Sequence, residues 1–436
     1  MPAAAEDAGL PEAVRLTELD GGLRVVTEAV PSVRSVALGL WVRTGSRDEA
    51  PEHAGVSHFL EHLLFKGTAE HSAIEISERF DGMGAAANAA TGKESTHLHA
   101  RFLDEHTPEA FGLLAEMLLS PALPPDEIDS ERQVVLEEIA MYEDEPQDRV
   151  HDILSEAIYG EHPLGRRVLG EAEVIASISP GEIAAYHGTR YVAPGIVVGA
   201  AGHLDHERIV DLAREALRPE ARSLAVAAAS NGAPSQRFRF HPKETEQYHI
   251  CFGGPGISRG DERRFMLAVL DAIFGGSISS RLFVEVREKR GLAYSVGSYT
   301  EQYVDSGLVG VYVGTRADNV TEACSVIGAE LTKLRADGVA DDELERAKEH
   351  VKGRMVLGLE STSARMARNS RAVLFDLPLL SLDEMLARVD AVTIDDVAEL
   401  AAEVYDPARL SAAGIGADAD RFRNAAGAVS EALAAA

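Results

Sequence analysis

Cysteine is nearly absent: Cys251 and Cys324 are the only two in 436 residues. That excludes a disulfide framework and makes a reducing cytoplasm the natural setting. Long hydrophobic runs are missing as well. No stretch approaches the roughly 18 apolar residues that a membrane span needs, so no membrane association is expected. Basic residues are scarce, with 42 Lys and Arg against 71 Asp and Glu and a net charge of −29. Phosphate backbones require a basic surface, so the composition argues against nucleic acid as a partner. A strong negative field could attract basic peptides, or serve only to keep the surface soluble. The first residues, Met1 to Glu12, are acidic and rich in Ala and Pro. They lack a basic region followed by an apolar stretch and read as neither a secretory signal nor a transit peptide.

What is present is ordinary for a globular chain: 45% hydrophobic and 26% charged residues, at a length that favours two or three domains. The order of elements occurs twice. In the first half a strand-like run (Val36 to Arg43) precedes helical segments (Gly55 to Phe65, Ile74 to Phe80). An alternating run (Ser95 to Phe102) and two helices (Pro108 to Leu119, Asp126 to Glu143) follow. In the second half Tyr248 to Phe252 is strand-like, and Phe265 to Phe274 and Ser279 to Lys289 are helical. Alternating runs (Ala293 to Tyr299, Leu308 to Val313) and helices (Val320 to Leu334, Asp341 to Leu357) complete the repeat. Such a pattern predicts an α+β fold of two homologous domains, each a mostly antiparallel sheet covered by helices. The Ala, Ser and Pro-rich segment from Arg218 to Gln236 reads as a linker. The expected division is therefore 1–217 and 237–436, joined by 218–236.

His58-x-x-Glu61-His62 carries the chemistry. On a helix, positions i, i+3 and i+4 share a face, so two imidazoles and a carboxylate project together. Neutral imidazoles suit Zn²⁺, and a catalytic zinc takes three protein ligands and leaves a position for water. Glu61 can stay off the metal and accept a proton from that water. The third ligand must come from elsewhere, and the helix bearing Glu131, Glu137 and Glu138 is the best source. Glu131, Val135 and Glu138 share a face, with Glu137 about 100° away. That geometry prefers the Glu131/Glu138 face without choosing a ligand.

The H-x-x-E-H order is the inverzincin signature, and the chain resembles the pitrilysin/insulinase family of zinc metallopeptidases. It is similar in particular to bacterial relatives of the mitochondrial processing peptidase β-subunit. The matching stretches are Gly55 to Thr68 (GVSHFLEHLLFKGT), Glu131 to Ile139 (ERQVVLEEI), His162 to Gly165 (HPLG) and Ser280 to Val296 (SRLFVEVREKRGLAYSV). The resemblance implies Glu138 as the third ligand, beside His58 and His62, with Glu131 supporting the site from behind. It also gives Arg287 and Tyr294 a role in binding substrate and stabilising the oxyanion. The edge region Gly84 to Thr91, in particular Ala87, Asn88 and Ala89, would hold a peptide as an added strand.

The second half does not repeat the metal motif. Aligning Phe65 with Phe274 sets Leu267, Leu270 and Asp271 opposite His58, Glu61 and His62, and the Asp126/Asp342 match sets Arg354 opposite Glu138. In two-domain members of the family, the zinc domain of one subunit faces the second domain of its partner. The resemblance thus implies a homodimer whose composite sites enclose a peptide or unfolded polypeptide. A scaffold subunit and a peptide-binding chaperone are the rival classes. His97 and His99 read as surface positions on one strand face. Gly275-Gly276-Ser277 reads as a turn rather than a phosphate loop, and His249 and Cys251 have no partner pair to make a second zinc site.

Overall fold

The computed structural model describes residues 10–217 and 237–435, so the expected linker lies outside the described residues. Eleven strands are present among them: β1 (Val14–Glu18), β2 (Arg24–Ala29), β3 (Ser35–Val42), β4 (Ala86–Thr91), β5 (Thr96–Leu103), β6 (Ile196–Gly202), β7 (Phe238–Pro242), β8 (Gln247–Pro255), β9 (Ala293–Gln302), β10 (Gly307–Arg316) and β11 (Ser411–Gly416). The helices of the first half are α1 (Val56–Leu63), α2 (Ala73–Gly82), α3 (Thr107–Leu119), α4 (Pro125–Glu143), α5 (Pro146–Tyr159), α6 (Ala172–Ser177), α7 (Pro180–Arg190) and α8 (His206–Leu217). Those of the second are α9 (Arg264–Phe274), α10 (Val320–Asp337), α11 (Asp341–Gly358), α12 (Thr362–Leu374), α13 (Leu382–Asp390), α14 (Ile394–Val404), α15 (Ala419–Ala426) and α16 (Glu431–Ala435).

The strands form two sheets, ordered β1-β2-β6-β3-β5-β4 and β7-β11-β8-β10-β9. In each sheet one pair is parallel, β2 with β6 and β7 with β11. The remaining pairs are antiparallel. Removing β1 leaves two sheets of the same order and sense, which is the duplicated α+β plan that the sequence predicts. The strands β2, β6, β7 and β11 are not among the sequence-derived elements. Residues 196–202 (IVVGAAG) are buried throughout and carry no two-residue alternation to read.

Contacts divide the chain into two units that interleave in sequence: 1–140, 167–228 and 357–381 form one, and 141–166, 229–356 and 382–436 the other. The reason is an exchange of helices. Strand β3 is buried on both faces. Val36, Leu38, Leu40 and Val42 face a core shared with α1, α3 and α8. Ala37 and Trp41 face the other way, onto Met366, Val373 and Leu374 of α12, which arrives from late in the chain. In the second unit the reverse holds: Val150, Ile153 and Leu154 of α5 cover Cys251, Tyr312, Ala413 and Ile415 of the sheet.

This exchange corrects the reading of His97 and His99 as surface positions. His97 stacks flat on Trp41, with centroids 3.8 Å apart and planes 1° from parallel, and His99 lies 5.2 Å from His97. Both are half-buried. Alternation along β5 shows which face a residue takes; it cannot show that a distant helix roofs that face. Burial, with His99 and Arg371 nearby, holds His97 down to about 3.

The folded state therefore keeps His97 neutral while the unfolded chain protonates near 6.5. Stability from this group is complete above pH 6.5 and is lost as pH falls toward 3. At pH 5 the loss is about 2 kcal/mol. His97→Phe keeps the stacking but cannot titrate, so its loss between pH 7 and 5 should be smaller by that amount. Trp41 is the only tryptophan, and its fluorescence during urea unfolding reads the difference.

Candidate metal centre

Helix α1 is short and buried, and its start is built by tertiary contacts rather than a local cap. Gly55 precedes it with φ of +98°, a left-handed backbone that only glycine adopts without strain. The Glu49 carboxylate accepts hydrogen bonds from the Gly55 and Ser57 N–H groups, both at 2.8 Å, satisfying donors that a helix start leaves bare. The Tyr186 hydroxyl bridges Ser57 Oγ and Thr44 Oγ1 at 2.7 and 3.0 Å. Opposite Gly55 lies Gly170, with φ of +76°, where an added Cβ would fall 2.3 Å from the Ala54 carbonyl oxygen. Two glycines thus let two chain segments touch backbone to backbone.

Helix α4 is tied down by Arg132. Its guanidinium donates to the carbonyls of Ile175 and Ile178 and lies 5.4 Å from the centre of the Phe59 ring of α1. Sequence reasoning passed over Glu49, Gly170 and Tyr186, and gave Thr91 and Arg132 no part in holding the site. None sits at a telling spacing from the motif, because their contacts are made through the fold.

With both helices fixed, His58, His62 and Glu138 bring ligand atoms within 4.8 Å of one another. Glu138 Oε2 lies 3.6 Å from His58 Nε2 and 3.4 Å from His62 Nε2. Two ligand bonds of 2.0–2.2 Å at a tetrahedral angle put their atoms about 3.4 Å apart. The spacing is therefore that of ligands around one small ion, and the donor set of two imidazoles and a carboxylate suits zinc. Burial, with His62 beside it, holds the His58 imidazole down to about 4, so at neutral pH its lone pair is free to ligate. Glu131 Oε1 lies 2.8 Å from His62 Nδ1, where it accepts a hydrogen bond from the Nδ1–H tautomer and leaves Nε2 as the ligating atom. Glu137 takes no part in this group of donors.

Glu61 stands beside these groups. Burial pushes its carboxyl above the ordinary range, while hydrogen bonds from Thr91 and the nearby His62 oppose that rise. Its Oε2 is buried and makes no hydrogen bond among the described residues. A buried carboxylate raised above its ordinary range beside these ligands has the character of a proton acceptor.

Among the described residues, strand β4 pairs with β5 alone and forms the edge of its sheet. Ala87 is half-buried, Asn88 exposed and Ala89 buried, and Asn88 Oδ1 accepts from the Ala89 N–H at 2.9 Å. In the other unit, Arg287 Nη1 donates to the Tyr294 carbonyl at 2.9 Å, and its guanidinium lies 4.4 Å from the centre of that tyrosine ring. Tyr294 is 78% exposed. Arg287 belongs to a wide turn of helix, residues 283–288, with i→i+5 bonding such as Lys289 N–H to the Val284 carbonyl. Wide turns of that kind occur often at functional sites.

Sequence relatives settle the family. Residues 24–172 match the profile of the insulinase peptidase family M16, and residues 177–351 match its inactive domain. An uncharacterized zinc protease of Streptomyces coelicolor is 43% identical over 399 residues, covering 90% of this chain and 87% of that protein. Another from Bacillus subtilis is 42% identical over 384 residues, covering 88% and 94%. The chain belongs to peptidase family M16. The M16 fold is seen again in a Pseudomonas fluorescens structure described as a peptidase M16 inactive domain, with a TM-score of 0.87 at 22% identity. It covers 93% of this chain and 98% of that one. A Helicobacter pylori protease has a TM-score of 0.85, also at 22% identity, covering 93% and 100%.

The glycine contact gives a test of how α1 is held. Gly170→Ala should cost at least about 1–2 kcal/mol from its left-handed backbone alone, with more from the clash at Ala54. A urea midpoint unchanged from that of the parent protein would show that the contact does not anchor α1.

Proposed function

We propose that this M16 chain is a zinc-dependent endopeptidase acting on peptides or unfolded segments, with Glu61 as general base. The single observation that carries the reading is the donor set: two imidazoles and the Glu138 carboxylate at tetrahedral spacing, with the unpartnered Glu61 Oε2 alongside. His58, His62 and Glu138 would hold the ion. A zinc ion bound there would make a water more acidic and polarise the scissile carbonyl.

The chain's own groups do the rest. Glu61 Oε2 takes a proton from the attacking water and later returns it to the leaving amine. Thr91 lies close enough to the Glu61 carboxyl to favour its charged form, the form that accepts a proton. The open edge of β4 offers backbone N–H and C=O groups to an extended peptide, and the small side chains of Ala87 and Ala89 allow close approach. Arg287 and the exposed hydroxyl-bearing Tyr294 donate to the developing oxyanion.

The oxyanion pair and the metal ligands belong to different units of the chain. By the family resemblance, a homodimer completes each site with Arg287 and Tyr294 of the partner copy. The full set of metal-binding residues favours an enzyme over a scaffold subunit or a peptide-holding chaperone, because neither needs a base beside the ligands.

Glu61→Gln should retain one zinc per chain and lose cleavage of a quenched peptide library by about 10²–10⁴-fold. Turnover near that of the parent protein would refute Glu61 as base, and absence of zinc in the parent protein would refute the metal reading. Mixing E61Q with an R287A/Y294F variant tests the composite site. Subunit exchange should restore about a quarter of the parent activity, since half the dimers are mixed and each mixed dimer has one intact site. No recovery after proven exchange would place both halves of the site in one chain.

A further inference from the structure

We infer that Lys66 is a positioning residue for the metal centre: its ammonium fixes Glu131, and Glu131 fixes the His62 imidazole. The inference rests on the metal reading above. Lys66 follows His62 by four residues and stands just beyond the end of α1 at Leu63. Its Nζ lies 2.5 Å from Glu131 Oε2, while the other oxygen of the same carboxylate is 2.8 Å from His62 Nδ1. Glu131 is only 5% exposed. A carboxylate so far out of water is costly unless a positive charge accompanies it. Among the described residues its ion-pair partners are Lys66 and His62. A surface ion pair would matter little; here one partner is buried and its second oxygen holds a metal ligand.

The backbone presenting Lys66 is braced. Beyond α1 the chain turns through Gly67 at φ of +108°, and the Thr68 N–H donates to the His71 carbonyl at 2.8 Å. His71 Nδ1 pairs with both oxygens of Glu116 on α3, at 3.1 and 3.0 Å, and Thr68 Oγ1 bonds to the same carboxylate. This network also accounts for the other His and Glu grouping in the unit, Glu70, His71 and Glu116, as a turn brace. Lys66 is thus delivered from a fixed turn, with only its side chain left to settle on Glu131.

The duplicated half supplies an internal comparison. The registers that set Leu267, Asp271 and Arg354 opposite the metal ligands set Gly275 and Ala347 opposite Lys66 and Glu131. Where the ligands are gone, the carboxylate behind them and its ammonium are gone too. A lysine serving only the fold would have no reason to vanish with the metal residues.

The test measures zinc dissociation constants by competition with a chromophoric chelator, with no reference to activity. Lys66→Met should bind zinc about tenfold or more weakly, the scale of loss seen when groups behind metal ligands are removed. Lys66→Arg should restore most of it. In a Glu131→Gln background, K66M should change nothing further, because Lys66 acts through that carboxylate. The apo forms are compared by Trp41 emission and urea midpoint, and Lys66→Gln serves in the same comparisons if K66M does not fold. Parent-like zinc affinity in K66M or K66Q, or a full extra loss in the E131Q background, would overturn the inference. Failure of the parent protein to bind zinc would instead overturn the metal reading beneath it.

Discussion

The placing of one carboxylate before two imidazoles is the constraint on which the site depends. Glu138 Oε2 faces the Nε2 atoms of His58 and His62 at 3.6 and 3.4 Å, beyond a good hydrogen bond and at the spacing of shared ligands. Glu61 and Glu131 are close by. Three carboxylates gathered at one end of α1 repel one another, and burial sharpens the repulsion. Lys66 offsets part of this charge, and a dication would offset more. The scaffold holds the groups together: Glu49 and the Gly55–Gly170 contact fix α1, and Arg132 fixes α4. Little of the folding free energy need come from the site itself, so the site can be pre-formed.

The second unit carries the same scaffold without the metal motif. Asp271, opposite His62, is half-buried and pushed up to about 6 by its burial, while Ser298 donates to it at 2.6 Å and the Arg354 charge, opposite Glu138, opposes the rise. One acidic and one basic group occupy the positions of two ligands. Arg354 is exposed, and its charge favours the ionised form of Asp271 from a distance. Retaining the strand order while replacing the ligand residues is what would be expected if packing and metal binding are separate requirements of this fold.

Much of this was legible in the residues. The face shared by His58, Glu61 and His62 follows from helix geometry, and the two-fold repetition of elements predicts two similar sheets. Spacing alone left Glu131, Glu137 and Glu138 in competition; the resemblance pointed to Glu138, and the packing of α4 brings its oxygen to both imidazoles. The illegible parts share a cause. Glu49 caps α1 from a preceding loop, Gly170 meets Gly55 across 115 positions of sequence in a contact without side chains, and α12 roofs the Trp41–His97 face from the other half. Periodicity reports on an element and its faces. It holds no record of which distant segment will meet them.

That last case bears on how the duplicated halves depend on each other. Each sheet takes one covering helix from the opposite half: α12 over β2, β3 and β6, and α5 over β8 and β11. Without α12, Trp41, Ala37, Val197 and Ala201 would lie open, and Glu28 would lose its partners Arg365 and Asn369. A buried carboxylate stripped of its cation is among the costlier losses a core can suffer. Neither half of the sequence therefore encodes a complete unit. The metal-bearing unit relies on a helix from the half that lost the metal motif, and this gives that half a structural reason to persist that is independent of any part it plays in catalysis.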